Sequence, residues 1–512
     1  MKFDEMKILL TTLNSKYVHS NPALKYLYTV TAGEYSNIEV REFTINNTQD
    51  YIFTELIRGS YDMLCFSCYV WNIEQIRILA ADLKKARPDT LILLGGPEVS
   101  FNAAEFMRDN PWVDFIICGE GEYPFYRLCE VMKSPQRRFD TVPGLIYRQA
   151  GKIFVNEQLE PIDFNAIPFI YSMLDCESDR VVYYESSRGC PFGCTYCLSA
   201  AEKNVRSLNM DRVKGDLGYF LYKRVMQVKF IDRTFNYDTE RAYEIIKYLI
   251  DNDNGVTNFH FEICADLLDE RMLELLGSAR KGQLQVEIGI QSTNPETLRA
   301  IGRKENVYPV LYNTERLIAL GNIHTHVDLI AGLPYESYEL FKRSFDKVYS
   351  LGADTMQLGF LKVLAGTPME QQVKRHGIMY RDHAPYEVIS TDYISAGELV
   401  RLKMIENMLD IFYNRGGFRH TAEYLIEELG LGSFGFYEAL ADFYYDSGFQ
   451  NRDRRKDDQY RILLSFAAHA AESYGLPRLE ERTRLRLTAD AEETMNPENF
   501  KRFIRKGWDV TQ

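Results

Sequence analysis

Tryptophan and histidine are scarce in this 512-residue chain, at 3 and 8 residues, and the cysteines are few and odd in number, at 9. Such a count excludes the disulfide framework of a small secreted domain and suits a reducing compartment. Long apolar runs are missing too. The longest, such as "ILLGG" and "FIICG", reach only strand length, so none reads as a membrane span. The opening "MKFDEMKILLTTLN" carries acidic residues and too short an apolar stretch for a secretory signal, so a cytoplasmic protein with no membrane contact is expected. Positive charge is in deficit, with 60 Lys and Arg against 73 Asp and Glu and a net charge of −13. That balance weighs against non-specific binding to nucleic acid. Three Arg-rich pieces near the end, "NRDRRKDD", "RTRLRL" and "KRFIRKGW", read as a solvated helical surface.

Apolar material is ample: 46% of residues are hydrophobic, with 34 Tyr and 30 Phe, enough for several cores in two to four domains. Residues 1–133 carry five strand-like runs ("KILLTTL", "IEVREFTI", "MLCFSCYV", "LILLGG", "FIICG") separated by amphipathic helices. This rhythm predicts an open, parallel, flavodoxin-like (Rossmann-like) sheet, whose ligands bind at strand carboxyl ends. Two such ends are glycine-rich: "GGP" at Gly95, Gly96 and Pro97, and "GEG" at Gly119, Glu120 and Gly121. Tight turns explain such glycines as readily as the approach of a bulky ligand. Cys65 and Cys68 resemble a C-x2-C pair, but three apart on a strand they face opposite ways and read as core.

Residues 134–180 read as a linker with a short hairpin, "GLIYRQAGKIFVN", and contain Cys176, a bystander. From 181 to 380 strands and helices alternate, predicting a β/α barrel with a parallel sheet. Its strands alternate apolar and polar: Phe259, Phe261 and Ile263 against His260, Glu262 and Cys264, then Leu284, Val286, Ile288 and Ile290 against Gln285, Glu287, Gly289 and Gln291. One face packs on helices and the polar face lines the barrel interior. Residues 381–512 turn helical and carry no chemical signature of their own.

The densest chemistry lies in "SSRGCPFGCTYCLSA", which puts Cys190, Cys194 and Cys197 within eight positions after the strand-like "RVVYYES". Closely spaced thiols in a reducing compartment point to metal. Zinc would ask for a second pair, and an ordinary iron–sulfur cluster for a fourth thiolate; neither follows. Three thiolates on a four-iron cube leave one iron open.

C-x3-C-x-Tyr-C resembles the signature loop of the radical S-adenosylmethionine enzymes. With the glycine-rich ends before it, and "TTLNSKYVHSNPALKYL" after the first strand, the chain resembles their cobalamin (B12)-binding subclass, in a branch with an uncharacterised C-terminal helical domain. The resemblance implies a [4Fe-4S] cluster on the three cysteines, S-adenosylmethionine on the open iron, and cobalamin on the first sheet. It implies that Tyr196 packs near the adenine, that Asp232 to Asn236 meet the methionine amino group, and that Glu262 and Gln291 reach the ribose and methionine polar atoms. Gly332 in "AGLP" would pass the adenine, and Leu364 to Pro368 would be the last barrel strand. Ser67, Tyr69 and Trp71 would line the corrin pocket. His19, with Tyr17 and Pro22 where a D-x-H-x-x-G motif has Asp and Gly, is not expected to ligate cobalt.

The activity implied is methyl transfer to an unactivated carbon, with cyclisation or oxidation without methyl transfer as one alternative and a non-catalytic cofactor-binding sensor as another. The implied partners are a flavodoxin- or ferredoxin-type reductant and a substrate that is a small molecule, peptide, lipid or tRNA. The helical tail is expected to cover the barrel mouth and help select that substrate.

Overall fold

A computed structural model describes residues 3–158, 161–176, 180–304, 306–451 and 456–505. Its first sheet holds seven strands in the order β2-β1-β3-β4-β5-β6-β7: β1 (Ile8–Asn14), β2 (Ile38–Thr44), β3 (Met63–Ser67), β4 (Leu91–Gly95), β5 (Phe115–Ile117), β6 (Leu145–Gln149) and β7 (Lys152–Val155). The first five are parallel, as the βα rhythm requires, and the order reverses between β1 and β3. The last two are a correction to the expected linker. The hairpin pairs antiparallel onto β5, with Phe115 opposite Tyr147, and extends the sheet. Leu145, Ile146 and Tyr147 are buried on it; a hairpin left alone in water would be marginal.

The sheet buries both faces. Leu9, Leu64, Phe66 and Ile92 pack on one side, and Ile8, Leu10, Met63 and Leu93 on the other. Cys65 and Cys68 fall into these opposite cores, as their spacing on a strand demands, and burial pushes both thiols up.

The second sheet has six strands, all parallel, in the order β15-β14-β13-β12-β11-β8: β8 (Val182–Tyr184), β11 (Gln227–Phe230), β12 (Asn258–Ile263), β13 (Leu284–Gln291), β14 (His324–Ala331) and β15 (Thr355–Phe360). A two-residue ladder, β9 (Ser187–Arg188) with β10 (Arg206–Ser207), brackets the cysteine segment. The sheet is an open partial barrel whose edges are β8 and β15. Strand β13 alternates buried and half-buried residues along its whole length. Leu364 to Pro368 do not form the last strand. They are the loop beyond β15, leading into the short helix Pro368–Gln372.

A second small hairpin, β16 (Met379–Tyr380) with β17 (Val388–Ser390), straddles position 380, where the helical region was expected to begin. Helices Ala396–Leu409, Arg419–Leu429, Gly432–Asp446, Lys456–Tyr474, Leu479–Thr494 and Pro497–Arg505 follow. They dock on the outside of the barrel, and Leu399 of the first also reaches Gly332 beyond the carboxyl end of β14. Phe434 stacks edge-on against Phe345 of the barrel helix Tyr338–Tyr349, and Asp346 accepts hydrogen bonds from the Ser433 hydroxyl and Phe434 N–H. Asn414 meets both the N–H and the C=O of Met356, so the free edge of β15 is covered. The "RTRLRL" arginines Arg482 and Arg484 pair with Glu428 and Glu480 at the surface. Parts of the other two Arg-rich pieces lie outside the described residues.

Candidate active site between the sheets

The segment from Ser186 to Ser207 leaves β8 at its carboxyl end and is fastened on every side. Ser186 donates from its N–H and hydroxyl, and Ser187 from its hydroxyl, to the buried Asp232 carboxylate just beyond β11, at 2.6–2.8 Å. Cys190 N–H donates to Glu202 C=O, Thr195 N–H to Ile301 C=O, and Met369 N–H to Thr195 C=O. Gly189 sits at φ +93°, and a Cβ there would lie 2.7 Å from Asn204 O; only glycine lets the strands of this loop approach so closely. Cys190 is buried with its Sγ 3.5 Å from Thr234 Oγ1, while Cys194 and Cys197 are half-buried and Cys197 N–H turns back to Cys194 C=O.

No group of three or more His, Cys, Asp or Glu among the described residues is gathered tightly enough for a single metal ion. A four-iron cube takes its thiolates on three different irons and asks for a wider spread than one ion does. Tyr196 packs half-buried beside Arg303, and burial pushes its hydroxyl far up. Two polar atoms near this loop are buried without a hydrogen-bond partner: Thr195 Oγ1 and Gln291 Oε1. Gln291 ends β13 at φ +68°, a strained value for a side-chain-bearing residue, with its amide folded over Gly289. Orphaned buried polar atoms at a strand's carboxyl end fit a polar ligand such as S-adenosylmethionine.

Glu262 lies in the lumen, where burial raises it to about 7 against the opposing charge of Arg233. Below it runs a polar ladder that sequence reading located only as one strand face: Lys229 and His260 on Glu287, and His326 on Asp328, each at 3.1–3.2 Å. Glu287 stays at about 2: the bond from His260 and the charge of Lys229 outweigh its burial.

Other expected residues already have partners within the protein. Asp232 accepts from the cysteine loop on both oxygens, and Asn236 exchanges two hydrogen bonds with the backbone of Cys264, so both hold the mouth in shape. Gly332 turns at φ +84° toward Val388 and Leu399 of the C-terminal region.

In the first sheet, the carboxyl ends of β1, β4 and β5 face the barrel. After β5, the carboxylate of Glu120 is held by Arg206 and Arg188, and Glu122 pairs with Arg188 at 2.6 Å. After β1, His19 Nδ1 lies 2.6 Å from the Tyr183 hydroxyl of β8, which engages one ring nitrogen, and Val181 N–H donates to Val18 C=O. After β4, Glu98 accepts from Tyr386. Gly96 has a reason of its own: at φ +105°, a Cβ would meet Cys68 O at 2.5 Å. Gly95, by contrast, has open space above it, with one ordinary contact to Ile117 O, and Pro97 begins the next helical turn. Gly119 and Gly121 would meet Gln158 and Leu27 side chains. At the β1/β3 switch point Ser67 is buried, and Asn72 ties together Thr12, Leu13 and Ser67. Beside it Tyr69 and Trp71 stack at 4.5 Å and 4°, with Trp71 43% exposed. An exposed flat indole at the switch point, next to an unobstructed Gly95, fits a planar macrocycle laid on the strand ends.

Comparison with known proteins matches this division. Residues 8–129 match the B12 binding domain, 184–348 the Radical SAM superfamily, and 374–507 a protein family of unknown function, DUF4080. A curated relative, the cobalamin-dependent radical SAM methyltransferase TokK of Streptomyces tokunonensis, is 25% identical over 418 residues, covering 75% of this chain and 61% of the relative. The chain thus spans about three-fifths of that relative's length. Among solved structures, the cobalamin-dependent S-adenosylmethionine radical enzyme OxsB aligns over 99% of this chain and 85% of its own, at 14% identity and TM-score 0.63. The radical S-adenosylmethionine methyltransferase TsrM of Kitasatospora setae covers 75% of this chain and 80% of its own, at 17% identity and TM-score 0.60. At such identities the two structures speak for the fold. On one chain, a match to the B12 binding domain thus runs into a match to the Radical SAM superfamily.

Proposed function

We propose that the protein is a cobalamin-dependent radical S-adenosylmethionine methyltransferase that methylates an unactivated carbon. The observation that carries this reading is the apposition of two things. A three-cysteine loop stands at the carboxyl end of β8, and the carboxyl ends of β1, β4 and β5 are drawn against that same mouth by Arg188, Arg206, Tyr386 and Tyr183. Cys190, Cys194 and Cys197 would hold the cluster. Tyr196, Glu262 and Gln291 would meet S-adenosylmethionine, and Tyr69, Trp71, Gly95 and Pro97 the corrin. When bound, these groups supply hydrogen abstraction and a methyl donor. The chain's own part is to keep both at one mouth and to exclude water from it. Asp232 and Asn236 hold the loop in register. Glu262, close to half-ionised near neutrality, is placed to take up or release a proton in the lumen.

The test is anaerobic reconstitution of the full chain. Iron, sulfide and cobalamin content come first, then methyl-labelled S-adenosylmethionine with a metabolite extract. We expect label in a new product and 5′-deoxyadenosine with S-adenosylhomocysteine in equal amounts. Alanine at Cys190, Cys194 or Cys197 should abolish iron retention. A product without label would replace methyl transfer by cyclisation or oxidation, and a chain that takes up no iron would remove the radical chemistry.

A further inference from the structure

Between the helical turn after β4, the loop beyond β15 and the β16–β17 hairpin lies a cleft of about 390 Å³. It is built from all three parts of the chain and reaches Leu198, the residue after Cys197. Two contacts close its walls together. Tyr386 donates to Glu98 at 3.0 Å, and Gly366 seats the Phe101 ring where any Cβ would overlap it. The cleft therefore leads to the cluster loop, and the region matched to a family of unknown function supplies one wall of it.

Its lining is predominantly acidic: Glu98, Glu105, Asp109, Glu370 and Asp382 border it, against the single base Arg77. The one lining arginine, Arg77, leans on Glu74 at 3.8 Å and over the Phe106 ring. Five carboxylates against one guanidinium leave the cleft with an excess of negative charge, and like charges held together repel one another. They are also not gathered for a metal: no three of them approach closely enough to share one ion. Spread along an open cleft beside Tyr380 and Tyr386, they suit an extended organic cation better than a point charge.

We propose that this cleft binds a positively charged, amine- or guanidine-bearing portion of the substrate and directs it toward the cluster loop. The C-terminal region's Tyr380, Asp382 and Tyr386 then act as specificity residues. This rests on the reading that the chain acts on a bound substrate at that loop, but its test needs no turnover. Spermidine is titrated calorimetrically into the reconstituted full chain at low salt. The comparison is with a cleft variant, Glu105→Gln/Asp109→Asn/Asp382→Asn, and a remote variant of equal charge, Asp211→Asn/Glu296→Gln/Glu492→Gln. All six positions are exposed, so folding is not at stake. We expect one site in the wild type, unchanged in the remote variant, and weakened by roughly tenfold or more in the cleft variant, the equivalent of about 1.4 kcal/mol. Equal weakening in both variants would reduce the effect to net charge, and unchanged binding in the cleft variant, or none in the wild type, would overturn the proposal. A failure of methyl transfer would appear in the labelling experiment and leave this titration untouched.

Discussion

Asp232 and Asn236 show how one side chain at the expected place can carry structural bonds that the sequence does not announce. Both stand where the sequence puts them, at the end of a barrel strand, and both bind neighbouring backbone or serine hydroxyls. No spacing rule reveals that, because the partners Ser186 and Cys264 become neighbours only when β8, β11 and β12 pair. Glu336 was silent in the sequence for the same reason. It is 1% exposed, its Oε1 accepts from Ser292, and burial lifts it from an ordinary 4.5 to about 8. The folded state therefore holds a proton that the unfolded chain has released once pH passes 4.5. The stabilisation is complete below 4.5 and is lost as pH rises toward 8, at about 1.4 kcal/mol per pH unit. Thermal unfolding between pH 5 and about 8 should show this slope, and Glu336→Gln should flatten it. A variant with the wild-type slope would mean that the carboxyl is ionised in the fold.

The cysteine loop is an element without regular structure, and its shape is imposed from outside. Its sequence pattern was fully legible, because a cluster needs its ligands close along the chain. What fixes it was not. Arg188, 10% exposed, stacks on Phe164 and Tyr26 and pairs with Glu122 and Glu185, which joins the loop's root to the first sheet. Truncation to Arg188→Ala leaves two buried carboxylates facing each other, so urea unfolding should register a loss of about 3–5 kcal/mol. Arg188→Lys should recover only part of it, since an ammonium lacks the planar fork and the stacking face. A loss below about 1 kcal/mol in the alanine variant would reduce this residue to a surface pair.

Across the whole molecule, barrel and C-terminal helices share one continuous core, from Val182 through Phe345 and Phe434 to Leu487. The helical tail is thus a structural part of the barrel. Deleting residues 391–512 should expose Phe345, Tyr349 and the β15 edge, and raise the aggregated fraction relative to the full chain; centrifugation and size exclusion after expression decide it. A soluble, cluster-binding truncate would show that the tail is an independent domain.

The sequence by itself determined whatever depends on neighbours along the chain: the cysteine spacing, the period-2 strands and 3.6-period helices, the parallel βα repeats of both sheets, and the resemblance they carry. Only the tertiary structure decided which strands the 145–155 hairpin joins, that Glu120 pairs with Arg206, and where the Tyr386 wall stands. Each of those is a pairing between residues tens to hundreds of positions apart. Local periodicity says which face of an element is apolar, and it carries no information about which distant face will cover it.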